Sequence, residues 1–556
     1  MTVDIHTHLF NLRYLPLKGI IDARANGILT KFAAKALVKY LLWRTDDDDT
    51  LDETLVKAFD GGKIHESMAS RMSVLDTLTR QSALTPIEEL DLEEFLIAEA
   101  VLADDLMADP DMLSAVFEVN GVDPAQPNLK LLDADLVRAI PILMSSKGLP
   151  AKEFSLVLSA DPKSAESMRG GLVKLLRPLF RRFAQLGDFW HWLVLQTESE
   201  TKIMKTLIET YSSDDSNGGN VDLYIDHMMD MELHYPGQKK PVYQEPKTRM
   251  QRMRKLYQNS NGLVLGFYAW CPLRDDALDL VKHAIEKEGF VGVKFYSPNG
   301  YRAQENNSYE AEDIDNKVVR GGVSGSLIDE RNHQLFDYCN ANRVPIFSHS
   351  QPGEMESVSG YTGKMSHPRY FSSVFENFED LIVCFGHAGG SDGWLPPVRD
   401  GDPWKGTDQS QGDYATNIDL TSYARAIYDA CVNNKHVYCG VGAHSEISNK
   451  DSIVNFRERL TLLFRQSSGN PGQVEFGQRI SYGSDWHMIF KHRKHALYLQ
   501  NYQKVFESGS GLEGSRDLFF EKNMLNFLHL PDYLSRAGGS VSQAHKTNIE
   551  NLISRL

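Results

Sequence analysis

The chain has 556 residues, of which 42% are hydrophobic and 24% charged, and a formal net charge of −16 at pH 7. That length exceeds one typical domain, although an α/β barrel uses about 250 residues as a single unit. The composition is that of a soluble globular protein, and the acidic balance argues against a general nucleic-acid binder, which would carry a basic face.

Five cysteines (Cys271, Cys339, Cys384, Cys431 and Cys439) are odd in number and lack Cys-x-x-Cys spacing. They do not form a disulfide framework on sequence grounds and fit a reducing compartment. The N-terminus has neither a basic region nor an apolar core, so no secretory signal is expected. No apolar run approaches the ~20 residues of a membrane span. The expectation is a cytoplasmic protein with a small-molecule substrate and no nucleic-acid or membrane partner.

"VDIHTH" opens the chain as a short apolar run that turns polar, as a buried barrel strand does near its carboxyl end. Its His-x-His pair is weak alone, since 18 histidines give roughly 0.6 such pairs by chance. From about Ala23 to Tyr211 the pattern is helical. "KFAAKALVKYLLW", "ELDLEEFLIAEAVLADDLM" and "GLVKLLRPLFRRFAQLGDFWHWLVL" carry apolar residues at mixed three and four spacing. The acidic run Asp46 to Asp49 reads as a solvated linker. The basic stretch Lys174, Arg177, Arg181 and Arg182 reads as a solvated helix face. "SSDDSNGGN" at 212–220 is a loop that ends this block.

Beyond it, strand and helix patterns alternate. "VDLYIDHM", "GLVLGFYAW", "FVGVKFYS", "RVPIFSHS", "LIVCFGHAG", "HVYCGVG" and "RISYGSD" are short apolar runs suited to parallel strands buried on both faces. With the opening run they make eight, the signature of a (β/α)₈ TIM barrel. The fold class is therefore α/β, a TIM barrel with a large all-helical insertion after the first strand. The expected division is residues 1–19 as the first barrel strand, 20–220 as the insertion, 221–530 as the rest of the barrel and 531–556 as a helical tail. The insertion should pack over the barrel mouth as a lid, a substrate selector or a homodimer contact.

A barrel keeps its active site at the carboxyl ends of its strands. There stand His6 and His8 on the first, Lys294 on the fourth, His349 on the fifth, His387 on the sixth and Asp485 on the eighth. Alternation of period two sends His6 and His8 to the same side. Imidazoles and a carboxylate suit a borderline divalent ion such as zinc, with manganese, iron or nickel as alternatives. Each residue alone is more often structural; their joint position at strand ends points to a metal site.

"DIHTH", "GVKFY", "VPIFSHS", "VCFGHAGG" and "ISYGSDW", in this order, resemble the amidohydrolase superfamily, specifically its amidohydrolase-related metal-dependent TIM-barrel branch. "FFEKNMLNFLHL" is similar to the family's closing helix, with Asn523 at a position that often carries asparagine. The helical block at 20–215 has no counterpart in that pattern. The resemblance implies His6, His8, His349 and Asp485 as metal ligands, and His387 as a second-metal ligand or a catalytic histidine. Lys294 falls where two-metal members carry a carboxylated lysine; the alternative is an amine that binds an acidic substrate group, so one ion or two stays open.

The implied chemistry is hydrolysis of an amide, lactone or ester-type bond, with Asp485 as general base and acid and the metal or His387 polarising the carbonyl or stabilising the developing oxyanion. Candidate substrate contacts are Tyr268, Trp270, Tyr296, Asn299, Tyr301, Arg302 and His444. Two rivals stand beside this reading: a metal-dependent decarboxylase or hydratase of the same superfamily, and a non-catalytic binding protein on the same fold.

Overall fold

In the computed structural model of the protein the described residues are 1–16, 20, 195–211, 220–235, 245–307, 322–353, 355–358, 360–404, 423–492, 495–537 and 539–556. The expected lid position of the insertion, the acidic run and the basic stretch lie outside them.

Eight parallel strands run in sequence order around one sheet: β1 Val3–Thr7, β2 Leu223–His227, β3 Val264–Ala269, β4 Gly292–Phe295, β5 Ile346–His349, β6 Val383–Gly386, β7 Val437–Gly440 and β8 Ile480–Ser481. All are buried along their whole length, which is why their sequences read as apolar runs. The ring approaches closure where Ile5 N donates to Tyr482 O at 3.5 Å and Asp485 N to His6 O at 2.7 Å. This is the TIM barrel that the alternating pattern predicts.

Helices alternate with the strands: α1 Glu200–Thr210, α2 Pro246–Asn259, α3 Ala277–Lys287, α4 Gly325–Asn342, α5 Ser372–Asn377, α6 Tyr423–Asn433 and α7 Lys450–Ser467 precede β2 to β8 in turn. Polar caps start several of them, as expected where helix N–H groups lack partners. Ser199 and Ser324 cap α1 and α4, and Asn449 with Ser452 forms a capping box on α7. Although α1 falls inside the 20–220 interval, it packs on the barrel. Tyr14 Oη donates to Glu200 at 2.7 Å, and Arg252 of α2 pairs with the same carboxylate at 3.1 Å.

The core is the barrel interior and its capped amino end. Val3, Ile5, Leu223, Ile225, Leu265 and Phe267 pack with Met524, Leu525, Phe527 and Tyr533 from the C-terminal helices. Asn523 fastens that cap to the barrel, its side-chain amide donating to Gly477 O and Ile480 O, both at 2.9 Å. Among the described residues, no helix is long and apolar enough to cross a membrane.

One glycine is fixed by contact. A Cβ built on Gly266 in β3 would lie 2.0 Å from the Tyr257 ring, whose hydroxyl is held by Asp226. Gly266→Ala should therefore cost roughly 1–3 kcal/mol through overpacking. A thermal or urea unfolding curve that matched the parent would refute that close approach.

Candidate metal centre

β1 carries a bulge. Asp4 pairs with Tyr224 but Thr7 with Asp226, so one extra residue is accommodated around Ile5 and His6. Bulges re-aim side chains at the rims of barrels. Here His6 turns toward Phe347, His227 and His387, with ring centroids 4.8, 5.0 and 4.8 Å away. Asp4 secures the bulge by accepting from His6 N at 3.1 Å and Ser484 N at 2.8 Å. Burial pushes the Asp4 carboxyl up to about 7.

His8 follows, and its Nδ1 donates to His227 O at 2.6 Å. That bond fixes the tautomer and leaves the Nε2 lone pair available. Asp485 leaves β8 in the left-handed region, at φ 50°, tied to β1 through its own N–H. Its Oδ1 lies 3.9 Å from His6 Nε2 and 3.8 Å from His8 Nε2. The three donor atoms form one buried group within 4.8 Å of one another.

His6 Nδ1 is buried without a hydrogen-bond partner among the described residues, and Asp485 Oδ1 is met by His487 Nδ1 at 3.1 Å. A buried carboxylate among imidazoles is costly unless a ligand completes the group. Two imidazole nitrogens and a carboxylate oxygen at this spacing fit a divalent cation.

His349 and His387 form a second element. His387 Nδ1 donates to Gly442 O at 3.2 Å, so its Nε2 accepts from His349 Nδ1 at 3.0 Å. This leaves His349 Nε2 with a buried lone pair and no partner among the described residues. His387 also approaches Asp485 Oδ2, at 3.9 Å, and thereby links the pair to the three-donor group. Lys294 points into the same space. Its Nζ donates to His6 Nε2 at 3.2 Å and sits 4.5 Å from the Phe347 ring centroid.

Burial, reinforced by the nearby Lys294 charge, holds His6 well below the usual imidazole range. His8 and His349 are lowered likewise by burial and by their charged neighbours, and His387 falls to about 4. Neutral imidazoles are the form that ligates metals. Burial alone would raise the Asp485 carboxyl, but His487, His387 and Lys294 outweigh it and hold the group below its ordinary value. The set is a carboxylate among neutral imidazoles.

The candidate substrate contacts divide. Tyr296 follows Lys294 at period two and its ring meets His349 at 4.8 Å, so it borders the centre. Tyr268 faces the opposite way. Phe267 takes the inward position on β3, against His227 at 4.9 Å, and Tyr268 packs outward on Phe290 at 5.8 Å. Trp270 bonds Asn332, Asn299 bonds Asp230 O, and Tyr301 bonds Trp270 O. These are loop-holding contacts. Arg302 stacks on Tyr370 at 4.4 Å and donates to Glu305 O. His444 is fully buried behind the site, with Nε2 donating to His387 O at 2.8 Å and Nδ1 bonded to Tyr502 Oη at 2.9 Å. It positions the turn that carries His387.

Two histidines of the centre were not singled out from sequence. His227, at the end of β2, bonds Ile5 O through Nε2 at 2.7 Å and supports His6 and His8 from one side. His487 brings Nδ1 to 3.1 Å from Asp485 Oδ1 and its ring to 4.5 Å from His8. The available signals were a polar residue at another strand end and a histidine two places after Asp485.

Residues 221–406 match the family model described as Amidohydrolase. No curated protein matches the chain in sequence. Among solved structures, an amidohydrolase II is 13% identical with a TM-score of 0.34, covering 59% of this chain and 88% of its own. The 5-carboxyvanillate decarboxylase of Sphingomonas paucimobilis is 12% identical with a TM-score of 0.33, covering 56% and 80%. The enzyme of that name from Novosphingobium aromaticivorans, solved with bound manganese, is 12% identical with a TM-score of 0.34, covering 58% and 84%. Residues 221–406, on a parallel eight-stranded barrel whose strand ends gather these donors, thus carry a likeness to the amidohydrolase family.

Proposed function

We propose that the protein is a metal-dependent hydrolase that cleaves an amide, lactone or ester-type bond of a small molecule. The observation that carries this reading is the buried cluster in which Asp485 Oδ1 lies 3.9 and 3.8 Å from the Nε2 atoms of His6 and His8. His6, His8 and Asp485 would hold the cation, with His349 Nε2 as a further donor; zinc is the first candidate. When bound, a divalent ion there supplies an acidified water and a Lewis acid.

The chain's own groups do the rest. Asp485, kept as a carboxylate, accepts the water's proton and returns it to the leaving group. His387, fixed by Gly442 O and His349, would stabilise charge that develops on the carbonyl oxygen only with a proton on its Nε2, which here accepts from His349. Lys294 would offer its amine to an acidic substrate group beside His6, or, as a carbamate, would serve as a further metal ligand.

Chelation of the purified protein should abolish turnover, and reloading with zinc, manganese, iron or nickel should restore it for at least one ion. Turnover in ¹⁸O-labelled water separates the reactions. Label in the new carboxyl product supports hydrolysis; carbon dioxide release without label transfers the assignment to the decarboxylase reading. Full activity after exhaustive chelation would sink both.

A further inference from the structure

A cavity of about 230 Å³ opens at the carboxyl ends of β5 to β8. Its walls begin a few residues past those strand ends: Gln351 lies two after His349, Gly390 three after His387, Ala443 next to Gly442, and Met488 three after Asp485. Three of these four loops leave the barrel through left-handed backbone. His387 and Ala388 stand at φ 62° and 45°, Ala443 at 57° and Asp485 at 50°. Non-glycine residues persist there only when their surroundings hold them, and such strain gathers at ligand sites.

The surroundings do hold them. Trp394 Nε1 donates to Ala388 O at 2.7 Å. The fully buried Arg459 has no carboxylate in bonding reach among the described residues, and it donates to the carbonyls of Trp394, Pro396 and Pro403. It thus clamps the loop that continues from Asp392. The walls are built before any ligand arrives.

The charges on those walls are sorted by loop. Asp392 comes from the loop after β6 and Glu446 from the loop after β7; Lys491 and His492 both come from the segment after β8. Asp392, Glu446 and His492 are exposed at the cavity rim and Lys491 is half-buried, its Nζ donating to Met488 Sδ at 3.3 Å, so acids and bases face the space from different loops. The volume is below the roughly 300–1,000 Å³ of pockets for drug-sized ligands, which suits a fragment of amino-acid size.

We propose that this cavity recognises a small zwitterionic group of the substrate, with an ammonium set against Asp392 and Glu446 and a carboxylate against Lys491, as in a free α-amino acid end. The inference rests on the hydrolase reading for its place in catalysis, but binding is testable without turnover.

Calorimetric titration of the full chain, metal-loaded and chelated, with glycine, serine and glutamate would use the N-acetyl acids and the amino-acid methyl esters as single-charge probes. The zwitterions should bind roughly tenfold more tightly than either single-charge set, the loss expected when one charge-assisted bond is removed. Lys491→Met should weaken the zwitterions and N-acetyl acids and spare the esters. Asp392→Asn with Glu446→Gln should weaken the zwitterions and esters and spare the N-acetyl acids. Equal binding of all three sets, no binding of the zwitterions, or variants that titrate like the parent would each overturn the proposal. Failure of the metal reading shows elsewhere, as turnover that survives chelation.

Discussion

His6→Ala combined with His8→Ala should reduce bound metal to trace levels and lower turnover by at least about 10³-fold, which is about 4 kcal/mol of lost transition-state stabilisation. Those two imidazoles supply two of the three donor atoms in the buried group, and Asp485 with only His349 left beside it should not hold an ion against water. The barrel should survive. The main chain of β1 remains paired with β2, Asp4 still ties His6 N to Ser484, and Asp485 N still bonds the carbonyl of residue 6. Loss of two buried rings opens a cavity with a cost of a few kcal/mol. Part of that is offset, because the variant no longer buries the unpartnered His6 Nδ1. Metal analysis, circular dichroism and turnover on one preparation decide the matter. A folded double variant with stoichiometric metal would refute the assigned donors.

The barrel was legible because its strands are buried on both faces, so each appears as an unbroken apolar run. "VDLYIDHM" contains the strand Leu223–His227, and "RVPIFSHS" contains Ile346–His349. The polar residue that ends each run marks the barrel mouth, which is how His349, His387 and Asp485 could be placed side by side without coordinates. Lys294 and Tyr296 also obeyed alternation, on the face opposite Phe295, whose ring packs on Phe336 and Phe371.

Tyr268 shows the limit of reading strand ends without phase. Its neighbour Phe267 takes the inward position, so period two already sends Tyr268 to the helix layer. His487 was hidden for another reason. It stands on the turn beyond β8, where no periodicity exists, and only the left-handed Asp485 brings its ring back to the carboxylate. The bulge in β1 was equally silent in sequence, because an extra residue leaves no mark until the partner strand is known.

Asp485→Asn should fold, retain most of its metal and turn over about 10² to 10⁴ times more slowly, the usual contribution of a positioned general base. The backbone argument comes first. Position 485 sits at φ 50°, and asparagine is among the few non-glycine residues that accept the left-handed region, so the exchange adds no strain. The amide is close to isosteric and can still present an oxygen toward His6 and His8 Nε2, 3.9 and 3.8 Å from the present Oδ1. It is neutral, however, and cannot take up the water's proton. The loss should fall on kcat with KM little changed, since the group acts on the reacting atoms and not on the bound substrate. Asp485→Ala removes the donor as well and should lose metal, so the pair of variants separates ligation from proton transfer. If the asparagine variant keeps the parent rate, the base lies elsewhere, and His387, 3.9 Å from Asp485 Oδ2, becomes the group to replace next.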